Sequence, residues 1–217
     1  MKQPLPLILI SSPEDFTDEY VLIETMFKRG LQRLHVRKPR KDLRGMERWL
    51  FGLDCDVRSQ VVVHGFPELA DAFGLAGLHG KESVHSFSAH SFPELKQAGD
   101  RQYAFLSPIY DSFSKIGYRA AFTEAELRIG LAELSSSKPR LAVYALGGID
   151  AERLAAVNAM GFSGAAILGA VWNAADPIGA WDALRDLSYV VRGLEAPIYP
   201  EIESWREVMQ ERREGSL

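Results

Sequence analysis

The chain has five histidines, His35, His64, His79, His85 and His90, each beside a short strand-like run: LQRLHVR, QVVVHG, GLHG and SVHSFSAHSF. Imidazole is the side chain that changes charge near neutral pH, and it also ligates transition metals, so such a set suits proton transfer or metal binding. No H-x-x-x-H pair marks a metal site, and His64 or His79 could equally be hydrogen-bonded parts of the framework. A second chemical signal is ALGGI, Ala145 to Ile149, followed about twenty residues later by ILGAVW, Ile167 to Trp172. Glycine-rich turns leave backbone N–H groups uncovered, and two such turns side by side make a phosphate cradle. The plainer reading of Gly147 and Gly148 is a tight turn ahead of Asp150 as a helix N-cap.

Two further stretches could hold anions. In SPIYDSFSK the hydroxyls of Ser112 and Ser114 stand beside Lys115, a set able to grip a phosphoryl group, although a solvated polar loop has the same composition. In LHVRKPRK, Arg37 and Lys38 end a strand and could neutralise a diphosphate. Residues 28 to 48 hold nine basic residues against two acidic ones, which raises nucleic acid as a rival partner. The run has no interleaved aromatics before Trp49 and no binding motif, so nucleic acid is not expected.

The elements that must position these groups follow from periodicity. Short apolar runs at residues 5–11, 31–37, 60–64, 77–80, 85–90, 103–110, 140–148 and 164–172 read as strands. Between them lie segments of helical period, among them residues 14–29, 43–52 and 123–136, the last opened by Thr123 and Glu126 at capping-box spacing. Eight strands alternating with helices predict parallel strands joined by crossovers, and a closed (β/α)8 barrel rather than an open sheet. Catalytic groups of such barrels lie at the carboxyl ends of the strands. His35, His64, His79 and His90 are then expected at one mouth, and His85 at the opposite rim.

At 217 residues, 47% apolar and 25% charged, with net charge −4, the composition is that of an ordinary globular protein. The single cysteine, Cys55, lies between two aspartates that disfavour a thiolate, and no internal disulfide can form. The opening MKQPLPLILISS has too short an apolar core for a signal peptide, and no apolar run reaches 18 residues. A cytoplasmic protein with no membrane partner is the expectation. One barrel domain is expected over residues 1–193. An extension follows over residues 194–217, where Ile202, Trp205, Val208 and Met209 form a helical stripe suited to docking on its own barrel or on a second subunit, which leaves a homo-oligomer open.

With these motifs in order, the chain resembles the thiamine phosphate synthase family, which includes the thiazole tautomerases. SPIYDSFSK is similar to that family's G-P-x-[FY]-x-T-x-T-K loop, ALGGI to its A-I-G-G-I, and ILGAVW to its last phosphate strand. SAHS is similar to its S-x-H-[ST] and LHVRKP to its Q-x-R-x-K. The resemblance implies a small phosphorylated substrate, with Gly148, Leu168 and Gly169 binding phosphate. Arg37, Lys38, Lys115, Ser88, Ser112 and Ser114 would serve the pyrophosphate side, together with His35, His64 and His79 at the strand ends. His90 stands where the tautomerases carry their base.

The departures are also specific. The family's N-D after strand three is His64-Gly65 here, its H-x-G-Q-x-D is HGKES with Glu82 merely nearby, and its strand-two glutamine is His35. Pro39 stands in place of the family lysine, with Lys38 one residue early. Mg²⁺ is implied for a synthase, though the usual aspartate ligands are missing, and no cofactor is implied for a tautomerase. The expected activity is the synthase reaction, joining a pyrimidinylmethyl diphosphate to hydroxyethylthiazole phosphate with release of pyrophosphate. Isomerisation of thiazole carboxylate phosphate with His90 as base is the alternative. Outside this chemistry stand a noncatalytic phosphate-ligand binding protein and a metal hydrolase built on the histidines.

Overall fold

Side chains of a strand alternate between two faces, and in a closed barrel those faces are the interior and the layer under the helices. The computed structural model describes residues 3–111 and 119–199. Its strands are β1 (Leu7–Ile10), β2 (Leu34–Val36), β3 (Val61–His64), β4 (Gly77–His79), β5 (Ser86–Ala89), β6 (Tyr103–Leu106), β7 (Ala142–Leu146) and β8 (Gly164–Ile167). All pair in parallel in sequence order, and β8 returns to β1 through Leu7 opposite Ala165, so the (β/α)8 barrel is observed.

The helices are α1 (Glu19–Lys28), α2 (Leu43–Phe51), α3 (Cys55–Arg58), α4 (Pro67–Ala72), α5 (Phe92–Lys96), α6 (Glu124–Ser137), α7 (Leu154–Met160), α8 (Gly169–Trp172) and α9 (Pro177–Val190). Local sequence explains several of their starts. Asp42 accepts from Gly45 N at 2.7 Å, Asp176 accepts from Gly179 N at 3.0 Å, and Thr123 with Glu126 forms the full capping box. Asp150 accepts from Arg153 N at 3.0 Å and so orders the turn before α7, whose first helical residue is Leu154.

The outward faces are aliphatic. Leu9, Leu34, Val36, Val61, Val63, Ala89, Leu106, Val143 and Ile167 are buried in one cluster with the helices. The interior is divided. Ile8, Ile10, Tyr103, Phe105 and Ala166 form a separate apolar cluster, which Tyr144, Leu146 and Leu168 extend. On β2 to β5 the interior holds His35, His64, His79, Ser86 and Ser88, with Val62 beside them, so half of the barrel is lined mainly with polar groups.

Two local readings change. The run GAAILGAVW was expected as one strand, but the ladder stops at Ile167 and Gly169–Trp172 turns as a short helix. Trp172 Nε1 donates to Ile10 O at 2.7 Å, which pins that turn across the end of β1. His35 is the middle residue of β2 rather than its end, so it points into the barrel and not out at its rim. None of the described helices is long and apolar enough to cross a membrane.

The start of the C-terminal extension docks on its own barrel: the Arg185 guanidinium lies 4.2 Å from the Tyr199 ring centroid, and a Cβ at Gly30 would meet Tyr199 Oη at 2.5 Å. The stripe of Ile202, Trp205, Val208 and Met209 lies outside the described residues, as do Ser112, Ser114 and Lys115.

Candidate active site

A cavity of about 650 Å³ opens at the carboxyl ends of the strands, lined among others by Arg37, His64, His79, Ser88, His90 and Leu168. Six of the expected residues therefore meet in one place. The structure also adds residues that the motifs did not single out: Ser11, Lys81, Glu94 and Ser107 line the same cavity, together with Gly147 of the ALGGI turn. Lys81 is the informative one. HGKES reads from sequence as a missing carboxylate, whereas in space it puts an exposed ammonium beside His79 and Gly80.

Alternation decides the fate of two adjacent cations. Arg37 continues the inward face of β2 and is exposed at the mouth, with its N–H donating to Ser11 Oγ at 3.0 Å. Lys38 points the other way, behind the strand. Its Nζ lies 2.6 Å from each Glu19 carboxylate oxygen and 3.1 Å from Glu14 O, and it is only 3% exposed. Trp49 Nε1 completes the Glu19 shell at 3.1 Å. Burial raises the Glu19 carboxyl despite the ammonium against it. The expected substrate role of Lys38 is thus corrected: it is an internal counter-ion joining β2 to α1 and α2.

The histidines form two linked hydrogen-bond chains. His35 Nδ1 lies 3.0 Å from His64 Nε2, and His35 Nε2 lies 2.6 Å from Tyr103 Oη. His79 bridges Ser86 Oγ at 2.9 Å and Ser88 Oγ at 3.0 Å, and its ring stacks on His64 with centroids 4.2 Å apart. Burial holds His79 down to about 4; burial, the His79 ring and Arg37 hold His64 down to about 2. Burial and the neighbouring imidazoles keep His35 well below the ordinary value. All three are neutral at pH 7, which allows imidazole to bond imidazole without repulsion. His35 is fully buried beneath the other two, so its expected contact with substrate is corrected to support of His64.

His90 differs from these. It is exposed, one residue beyond β5, and its Nδ1 lies 3.0 Å from the carbonyl of Ser107. A carbonyl can only accept, so Nδ1 carries the proton and Nε2 keeps a lone pair. Its backbone N–H donates to Glu94 Oε2 at 3.0 Å, which fixes the turn that presents the ring. His85 lies at the other end of β5, with its ring packed where a Cβ on Gly77 would come within 2.9 Å.

At β7 and β8 the expected cradle is only partly at the cavity. Gly147 and Leu168 line it, whereas Gly148 and Gly169 do not, and Gly169 borders a second hollow with Asp150, Ala151 and Asn173. Gly147 and Gly148 adopt φ of +99° and +63°, which favours glycine. A Cβ on Gly148 would meet Tyr110 Cβ at 2.8 Å and the Asp111 carbonyl, so the loop after β6 packs directly against this glycine. Any phosphate contact from Gly148 is left to its N–H. Among the described residues no backbone carbonyl accepts from the N–H of Gly148, Gly169 or Ala170.

The synthase resemblance implies Mg²⁺, a hard ion that takes oxygen ligands. Among the described residues lining the cavity, Glu94 supplies the one carboxylate, and its oxygens already accept from His90 N at 3.0 Å and Ser91 Oγ at 3.2 Å. The residues present do not fit Mg²⁺.

Comparison with known proteins agrees with this architecture. A thiamine phosphate pyrophosphorylase from Bacteroides thetaiotaomicron superposes with TM-score 0.70 and 29% identity, over 85% of this chain and 98% of that one. The chain is thiamine phosphate synthase-like. A thiamine phosphate pyrophosphorylase from Pyrococcus furiosus matches at TM-score 0.70 and 19% identity, over 86% of this chain and 96% of that one. A KDPGal structure matches at TM-score 0.60 and 16% identity over 89% of this chain and 99% of that one, a likeness of fold alone. No protein-family model and no curated protein matches the chain. The barrel architecture is thus shared with those proteins, and in this chain His64, His79 and His90 stand at its mouth.

Proposed function

We propose that the protein is an enzyme of the thiamine phosphate synthase kind that binds a phosphorylated thiazole in the 650 Å³ cavity. The observation that carries this reading is the polarity of that cavity. Arg37 and Lys81 furnish cationic groups for a diphosphate, and Gly147 and Leu168 border the cavity one residue before Gly148 and Gly169, whose N–H groups would have to reach a monophosphate from its edge. In the synthase reaction the methylene C–O bond to diphosphate breaks, the thiazole nitrogen supplies the electron pair for the new C–N bond, and pyrophosphate leaves with the former bonding pair. Arg37 and Lys81 would balance the charge gathering on that leaving group.

A second reading is favoured by one geometric fact, the proton-bearing Nδ1 and free Nε2 of His90. Such an imidazole can remove a ring proton from thiazole carboxylate phosphate and return it elsewhere, an isomerisation that needs no leaving group. One preparation assayed with both substrate sets separates the readings. Product formation from pyrimidinylmethyl diphosphate and hydroxyethylthiazole phosphate, independent of Mg²⁺, is the expected result. Isomerisation alone would assign the chain to the second reading, and turnover of neither substrate would overturn both.

A further inference from the structure

We propose that His35, His64 and His79 form a three-imidazole site for one divalent transition-metal ion, with its open position facing the cavity. One ring nitrogen from each residue lies within 4.8 Å of the others. A tetrahedral zinc with Zn–N of 2.0–2.1 Å holds its ligand nitrogens about 3.3 Å apart. His35 Nδ1 and His64 Nε2, at 3.0 Å, are already close to that separation. The third ring has to close by at most about 1.5 Å to complete the triangle.

The surroundings are those a ligating histidine requires. Its second nitrogen is normally held by a hydrogen-bond partner that fixes the tautomer and the ring plane. His35 Nε2 has Tyr103 Oη at 2.6 Å. His79 has a serine hydroxyl on each nitrogen, Ser86 at 2.9 Å and Ser88 at 3.0 Å, so whichever nitrogen turns to the ion, the other stays held. Phe105 lies against both rings, with centroids 4.8 Å from His35 and 4.9 Å from His79, and makes the floor apolar. His64 and His79 line the cavity while His35 closes the site from below, so a fourth ligand can enter from one side only.

The ligand set also selects the ion. Three neutral imidazoles suit zinc and its transition-metal neighbours and not Mg²⁺ or Ca²⁺. They leave both charges of the ion uncompensated beside Arg37 and Lys81, so the open position suits an anionic oxygen: hydroxide, carboxylate or phosphoryl. This site rests on the histidine geometry alone and does not depend on the thiazole substrate.

The test uses the full chain stripped with a chelator and titrated with Zn²⁺ and Co²⁺ by calorimetry and visible absorption. One ion per chain at sub-micromolar Kd is expected, with the intense d–d bands of tetrahedral Co²⁺. His64→Gln and His79→Gln should each weaken binding by more than about 100-fold, with His85→Gln as the unaffected control. His64 is partly exposed and the safer of the two for folding, which circular dichroism checks. Failure of the wild type to bind either ion at micromolar concentration would overturn the proposal. An octahedral Co²⁺ spectrum, or affinity unchanged in both variants, would overturn it equally. Thiazole turnover is scored separately, so loss of the metal proposal leaves the substrate reading standing and the reverse also holds.

Discussion

The two halves of the barrel interior solve different problems. From β6 round to β1 the inward residues are Tyr103, Phe105, Tyr144, Leu146, Ala166, Leu168, Ile8 and Ile10, which pack as an ordinary barrel core does. From β2 to β5 the same layers hold His35, His64, His79, Ser86 and Ser88, each tied to another by a hydrogen bond. Placing five polar side chains inside the barrel, three of them buried, costs stability unless each is satisfied. Such a network inside the barrel, while the outer faces stay aliphatic, is not the arrangement that packing alone favours. The histidines and serines of the interior come from β2 to β5, and the opposite half contributes an aromatic and aliphatic floor.

The largest expected effect breaks the comparison at its clearest point, the exposed imidazole. His90→Gln should lower turnover by about two to four orders of magnitude, the usual scale for a lost acid–base group. Its urea midpoint should fall little, since His90 is exposed and what its side chain gives up is a hydrogen bond to the Ser107 carbonyl. Wild-type turnover in this variant would remove His90 from the chemistry and shift the weight to the buried three.

Next comes the pair of neighbours on β2. Lys38→Met leaves the buried Glu19 without its ammonium and should cost about 3–5 kcal/mol, the usual range for breaking a buried pair. Adding Glu19→Gln should recover much of that loss. The folded fraction should keep its KM, because Lys38 does not reach the cavity. Arg37→Ala is the mirror image, with KM raised and stability changed by less than about 0.5 kcal/mol, as for most exposed side chains. Denaturation and steady-state kinetics on both variants check the assignment, and a KM effect from Lys38→Met at unchanged stability would refute it.

These neighbours also show what was legible in the sequence. The eight strands, the capping box at Thr123 and the convergence of His64, His79 and His90 on one mouth follow from periodicity and spacing, which are local properties. Whether Arg37 or Lys38 faces inward depends on the phase of β2, and the motif LHVRKP contains both cations without stating that phase. Gly148 was legible as a glycine that must turn, but not as one pressed against Tyr110, since that contact joins β7 to the loop after β6. HGKES contains Lys81 without stating that the turn between β4 and β5 brings it to the mouth. The missing information is tertiary in each case.

The smallest effect per step, yet the one that tests the contrast between the halves directly, is the dependence of stability on pH. In the polar half the folded-state values of His64 and His79 lie near 2 and 4, below the ordinary 6.5 that the unfolded chain retains. Below pH 6.5 the unfolded chain therefore binds protons that the folded chain refuses, so stability is fully present above pH 6.5 and falls as the pH drops toward 4. The slope is up to about 1.4 kcal/mol per pH unit for a buried histidine such as His79. The apolar half behaves in the opposite sense. Burial raises the hydroxyls of Tyr103 and Tyr144 above 10, so their contribution is intact below pH 10 and is lost only as the pH climbs past it. Urea midpoints of chelator-treated protein should hold from pH 9 to 7 and drop steadily from 6.5 to 4.5. Replacing His79 with Phe should make that acid limb shallower, His35 and His64 keeping the rest of it, and leave the alkaline one in place. A flat wild-type profile down to pH 4.5 would mean that these rings take up protons in the folded state, and the neutral hydrogen-bonded network described for β2 to β5 would have to be abandoned.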